Sequence, residues 1–236
     1  MNSTKKQARV AGLLYLLASI PAPFALIYVP DKLIVTGDAT ATANHLRASE
    51  TLFRLGIASE LLGFIIFIFV VLALHRLFKA VDKKHVLAMA TLLLISLPVS
   101  LLNVLNEIAA LVLVSGADFL SVFETPQLDA LAYVFLRLHG QGFVVAQIFW
   151  GLWLFPFGIL VIRSGFIPRF LGYLLFIAGF GYVASSFTSL LLPSYAHAVD
   201  QFAGILELGE LLIIFWLLIW GAKDQPLAKQ HPAIAH

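Results

Sequence analysis

Six apolar stretches alternate with short polar joints along the chain, at residues 10–29, 52–77, 86–114, 143–162, 168–192 and 201–220. Each approaches the roughly 20 residues that a helix needs to cross a hydrocarbon core of about 30 Å. The pattern predicts an all-α fold: a six-helix transmembrane bundle over residues 1–221 with short extracytoplasmic helices in its outer loops. A polar, disordered tail is expected at 222–236. The first stretch follows Lys5, Lys6 and Arg9 and meets Pro21 and Pro23, as a signal peptide could. It runs on to Val29 without a small-x-small cleavage site, so it reads as a retained, Pro-bent helix.

Local signals place the joints. Thr125-Pro126 reads as an N-cap followed by Pro at the first helical position, so the fourth helix starts before its apolar run and projects outward. Gly165 and Pro168 predict a tight hairpin that makes the fourth and fifth helices antiparallel neighbours. On the fifth, Gly172, Gly179 and Ser186 recur every seven residues, with Ala178, Gly181 and Ser185 offset from them. Such small residues permit close packing in lipid. Asp38 before Ala-Thr-Ala-Thr-Ala-Asn reads as the cap of a helix outside the membrane, placed to act as a lid.

Composition agrees with the pattern: 61% of residues are hydrophobic and 12% charged, against about 25% charged in ordinary soluble domains. Placing both termini in the cytoplasm puts 11 of the 15 Lys and Arg on that side: Lys5, Lys6, Arg9, Arg76, Lys79, Lys83, Lys84, Arg163, Arg169, Lys223 and Lys229. The net charge of +2 forms no basic stripe, so no nucleic-acid partner is expected; membrane lipids are. Without Cys there is no thiol chemistry. No span contains a Lys for a retinal Schiff base, a second interior His for bis-His haem, a GxxxxGK[ST] loop or a GxSxG elbow. The sequence names no cofactor.

What stands out is the ionisable and amide side chains inside the spans, where each charge costs about 2.5–3.5 kcal/mol on insertion scales. Arg54 and Glu60 belong to the second helix, Asn103, Asn106 and Glu107 to the third, Arg137, His139, Gln141 and Gln147 to the fourth, and Glu207 and Glu210 to the sixth. In the predicted topology all fall in the outer half of the membrane, while the inner halves are almost wholly apolar. The expected shape is an outward-open cup with an apolar floor, which argues against an open channel. Four Glu face two Arg and one His, so either some Glu are protonated or a cation binds.

The leading expectation is a binding protein that takes a small polar or amphiphilic ligand, or a cation, on the four Glu with Arg54 and Arg137 as counter-charges. Other readings stay open. The same residues suit a transporter whose floor rearranges, or a metal-dependent hydrolase using Glu60, Glu107, His139, Glu207 and Glu210, although no HExxH or Glu-x-x-His spacing is present. A purely structural ion-pair network is open too.

Several segments are familiar together: Ala8-Arg-Val-Ala-Gly-Leu-Leu-Tyr-Leu-Leu17, Gly37-Asp-Ala-Thr-Ala-Thr-Ala-Asn44, Leu52-Phe-Arg-Leu-Gly-Ile-Ala-Ser-Glu60, Ser115-Gly-Ala-Asp-Phe-Leu120, Leu138-His-Gly140 and Arg163-Ser-Gly-Phe-Ile-Pro-Arg169. Over nearly its whole length the chain resembles the bacterial membrane-protein family catalogued as domain of unknown function 4386. The resemblance implies a multi-pass protein of the bacterial cytoplasmic (inner) membrane. It implies no reaction, substrate or catalytic residue.

Overall fold

The computed structural model describes residues 4–223, so the expected tail lies, from residue 224 onward, outside the described residues. Seven helices and no strand occur among the described residues: α1 (Thr4–Leu33), α2 (Ala39–Ala48), α3 (Glu50–Phe78), α4 (Lys83–Val114), α5 (Thr125–Ser164), α6 (Arg169–Leu191) and α7 (Pro193–Ile219). All but α2 are long and apolar enough to cross a membrane. Their outward faces are apolar as well, with Leu102 64%, Phe180 65% and Ile205 67% exposed. A surface of this kind belongs against lipid.

The six spans form a ring in which α1, α3, α4, α5, α6 and α7 follow one another and α7 returns to α1. The return is close: a Cβ at Gly12 would stand 2.5 Å from the Leu218 backbone nitrogen, and Arg9 donates to the Ile219 carbonyl at 2.9 Å. Lys223 N–H donates to the Phe166 carbonyl, and Arg163 pairs with Asp82. The chain's two described ends and the 79–82 and 165–168 joints therefore share one basic end of the bundle. Asp82 caps α4 there by accepting from the backbone N–H groups of Lys84 and His85. Chiefly the His85 N–H, with Arg163 adding to it, holds the Asp82 carboxyl down at about 2. A depressed carboxylate contributes its stability above the usual carboxylate range, so this cap is intact at neutral pH and is lost only as pH falls through about 2.

Helix α1 bends where the sequence predicts. Pro21 and Pro23 lack the N–H groups of a regular helix, and a π turn, Phe24–Tyr28, follows them. Beyond Pro21, α1 leaves α7 and packs on α3, with Val29 against Gly56 and Pro21 against Gly63. The α1–α7 seam is thus closed at the basic end and parted beyond it.

Helix α5 starts as expected, but with a different cap. Glu124 is the N-cap and Gln127 reaches back to its N–H in a capping box, leaving Thr125 as the first helical residue. The carboxylate accepts from an amide that a hydroxyl at Thr125 would be one residue too late to reach. Asp38 caps α2 as predicted, accepting from Ala41 N–H at 2.8 Å. Helix α2 is fixed against α5 by the Arg47–Asp129 ion pair and by Gly37 N–H donating to the Tyr133 hydroxyl. It does not stand free as a lid. Its Ala43 and Leu46 join Val29, Phe53, Ile57, Val104, Leu111 and Leu136 in an apolar cluster at this end. A second, larger cluster fills the basic half, where Trp153 stacks on Phe157 and Phe78 on Phe166.

The seven-residue stripe on α6 meets a matching one on α5. Ser186 donates to the Val144 carbonyl, Gly179 faces the Gly151 carbonyl, and Gly172 faces the Gly158 carbonyl. The two antiparallel backbones touch along three successive levels. A Cβ at Gly151 would lie 2.6 Å from the Gly179 oxygen, whereas one at Gly140 meets nothing within 4 Å. Gly151→Ala should destabilise the protein by about 1–3 kcal/mol, and Gly140→Ala should not, its removal of an exposed helical glycine stabilising by at most about 1 kcal/mol. Reversible unfolding in mild detergent would measure both, and equal stability of the two variants would contradict this account of the α5–α6 contact.

Candidate functional site

A cavity of about 460 Å³ lies inside the ring, with wall residues from all six spans. Its floor is the aromatic cluster of the basic half: Tyr15 and Phe67 meet edge to face at 5.5 Å, and Trp153 lies beside both. The apolar floor is as expected. No open mouth is found above Glu60 and Glu107, which are buried, with Phe53, Ile57, Ala110, Leu111 and Leu136 of the smaller apolar cluster on their helices and on α5 toward the α2 end. Where α1 and α7 part, Pro21, Ala22 and Leu26 on one side and Gly204, Glu207 and Leu208 on the other form the cavity wall. Gly204 is exposed, and a Cβ added to it would meet nothing within 4 Å. The cavity approaches the lipid-facing surface at that seam.

The predicted polar residues divide into two groups. In the first, Glu60, Glu107 and His139 converge from α3, α4 and α5, with His139 Nε2 3.5 Å from Glu60 Oε2 and 3.8 Å from Glu107 Oε1. Asn103 Nδ2 donates to the His139 carbonyl at 2.8 Å, and Asn106 Nδ2 donates to Asn103 Oδ1 at 3.0 Å. Glu60 and Glu107 are 4% and 6% exposed. In the second group, Glu210 accepts from the hydroxyls of Tyr15 and Tyr182, with Gln147, Trp150 and Glu207 on the same cavity wall. Glu60 belongs to the first group and also lines the cavity, so it joins the two.

Arg54 and Arg137, expected as counter-charges, are not brought in. Arg54 pairs with Glu50 one turn earlier at 2.7 Å, and both are exposed. Arg137 is exposed and has no ion pair among the described residues. Gln141 is exposed too. On a helix, Arg137 and Gln141 share a face, and His139 lies two residues from each, about 200° around from both neighbours' shared side. Turning His139 inward therefore turns Arg137 and Gln141 out.

Sequence reasoning also missed partners. Tyr15, Tyr182 and Trp150 read as ordinary apolar helix residues, yet a phenol or indole at membrane depth needs a hydrogen-bond partner, and that was the available signal. Gly142 was missed as well. A Cβ there would collide with the Asn103 side chain, so only glycine lets α5 approach Asn103 this closely.

The fold and the arrangement describe a multi-pass helical membrane protein with an acidic interior. The chain belongs to the family described as Domain of unknown function (DUF4386), which matches residues 10–221. It is also similar to an uncharacterised protein of Archaeoglobus fulgidus, 41% identical over 79 residues, or 34% of this chain and 46% of that protein. The match thus spans about half the relative's length. No solved structure matches the chain.

The tyrosine pair around Glu210 can be tested as a unit. Tyr15→Phe removes one donor to a buried carboxylate and should cost about 1–3 kcal/mol. Adding Glu210→Gln should make the loss smaller than the sum of the single losses, since both act on one hydrogen bond. Strict additivity in a double-mutant cycle would show that the two side chains are energetically independent.

Proposed function

We propose that this chain is an intramembrane binding protein of the prokaryotic cytoplasmic membrane, whose cavity takes an amphiphilic cation such as a long-chain amine. The supporting observation is the wall itself: Glu60, Glu207 and Glu210 line it together with Tyr15, Trp150, Trp153 and Tyr182, and among the described residues no Lys or Arg does. Carboxylates attract an ammonium group, and aromatic faces add cation–π attraction of about 0.5–2 kcal/mol. The arginines expected to balance the Glu lie elsewhere, so a cationic occupant is favoured more strongly than the sequence suggested. The parted α1–α7 seam suits a ligand that enters from the lipid phase with its chain among Leu26, Leu208 and Leu211. The packed aromatic floor favours holding a ligand over passing it through.

Because Trp150 and Trp153 face the cavity, binding should perturb tryptophan fluorescence. Titrating dodecylamine into the full chain in nanodiscs should give a saturable change. Glu210→Gln should weaken it about tenfold, equivalent to about 1.4 kcal/mol. Dodecanol binding as tightly as the amine, or an unchanged affinity in the variant, would overturn the charge reading.

The same proposal places both termini, and so the basic end of the bundle, in the cytoplasm, in line with the positive-inside rule. The chain has no Cys, so single introduced thiols report cleanly. Ser121→Cys, near the α2 end, should react with a membrane-impermeant maleimide on intact cells. Ala80→Cys, in the basic joint, should react only after lysis. The reverse pattern would invert the topology.

A further inference from the structure

The ligand reading uses neither Glu107 nor His139, yet these two and Glu60 form a group of buried ionisable side chains contributed by three helices. Their side chains are 8%, 12% and 3% exposed. One donor atom from each lies within 4.8 Å of the other two. Both Glu60 oxygens and Glu107 Oε2 are buried without a hydrogen-bond partner among the described residues. Buried carboxylate oxygens are normally satisfied, so these three call for an occupant. The His139 separations of 3.5 and 3.8 Å are too long for hydrogen bonds. Ligand bonds of about 2.0–2.2 Å give donor–donor distances of about 3.3–3.6 Å, so the 3.5 Å separation already fits a coordination edge and the 3.8 Å one would close by a few tenths of an ångström around an ion.

The imidazole is set up for the same purpose. His139 Nδ1 faces the Asn103 carbonyl at 3.3 Å. An N–H donated there leaves the Nε2 lone pair directed at the two carboxylates, an arrangement that only a positive charge between them stabilises. A backbone carbonyl on the far nitrogen is the usual support of a metal-bound histidine. Asn103 is itself held by its bond to the His139 carbonyl and by the room that Gly142 leaves.

We infer that Glu60, Glu107 and His139 bind one divalent first-row transition metal inside the membrane. Two carboxylates balance its charge, and an O₂N donor set with an imidazole suits Zn²⁺, Mn²⁺, Fe²⁺ or Co²⁺ better than Mg²⁺ or Ca²⁺. The donors come from three helices, which is why no contiguous metal motif marks them. Three protein ligands leave coordination positions free, and Glu60 belongs to the cavity wall as well.

The test is Co²⁺ titration of chelator-treated full chain, read by d–d absorption and elemental analysis. One equivalent should bind and be displaced by Zn²⁺. Glu107→Gln and His139→Asn, checked for folding by circular dichroism, should lose it. Glu210→Gln should keep it, which separates this site from the proposed amine site. Gly142→Ala, which retains every donor but displaces Asn103, should weaken binding tenfold or more. Wild-type protein that takes up no Co²⁺ or Zn²⁺ at saturation would overturn the inference and leave the cluster to a proton. Metal retained by folded Glu107→Gln and His139→Asn would overturn it equally, by placing the ion elsewhere. Should these variants not fold, pulsed electron paramagnetic resonance of the Mn²⁺-loaded wild type decides: one histidine nitrogen coupling is expected, and its absence refutes the site.

Discussion

The structure depends on the cost of keeping carboxylates in hydrocarbon. An ionisable group at mid-membrane is tolerated only where it turns away from lipid and finds a partner. Every span carries a large exposed apolar face, and the interior Glu residues all turn toward the inside of the ring. The two apolar clusters bracket the polar layer, the larger beneath it and the smaller above the Glu60 end. Placing the acids in one layer confines the polar interior to a short stretch of the bundle. It also leaves the remaining helix surface free to pack as hydrocarbon.

Such a layer needs helices that approach closely enough to exclude lipid. Leucine-sized residues cannot provide this, because lipid tails are as apolar as they are and there is no hydrophobic gain in helix association. The ring uses backbone proximity instead. The α5–α6 stripe puts carbonyl against glycine at two levels and hydroxyl against carbonyl at a third. Gly12 meets the α7 backbone at the α1–α7 seam, and Gly142 makes room for the Asn103 side chain at the α4–α5 contact. The last has a chemical consequence, since the approach of α5 to Asn103 sets the orientation of His139. Packing and site geometry are here the same contact.

The span count, the bend in α1, the helix after Asp38 and the small-residue face of α6 were legible in the sequence, because each rests on a local signal: hydropathy, proline, a capping aspartate, a heptad of glycine and serine. Of the candidate site, Glu60, Asn103, Glu107, His139, Gln147, Glu207 and Glu210 turn inward, as their cost in lipid requires. Arg54 and Arg137 do not. A long arginine near a helix end can reach the interface and escape the cost, whereas a glutamate one to two turns deeper cannot. The cost argument thus holds for the ionisable residues deep in a span and fails for long ones near its end, and also for the uncharged Gln141, which the inward turn of His139 leaves exposed. The grouping of the acids could not be read either, because it depends on the order of helices in the ring and on glycines whose neighbours lie on other helices.

The distribution of arginines bears on whether the acids serve only to hold the helices together. The chain makes several Arg–carboxylate pairs, and it makes them at the ends: Arg47 with Asp129, Arg54 with Glu50, Arg163 with Asp82. A structural network would place such pairs in the interior, because a buried carboxylate left without its partner destabilises more than the pair itself stabilises. Here the interior holds four Glu against one His. Among the described residues, three of their oxygens have no hydrogen-bond partner and the cavity walls carry no Lys or Arg. An interior arranged this way suits the cationic occupants proposed above better than it suits a closed ion-pair network.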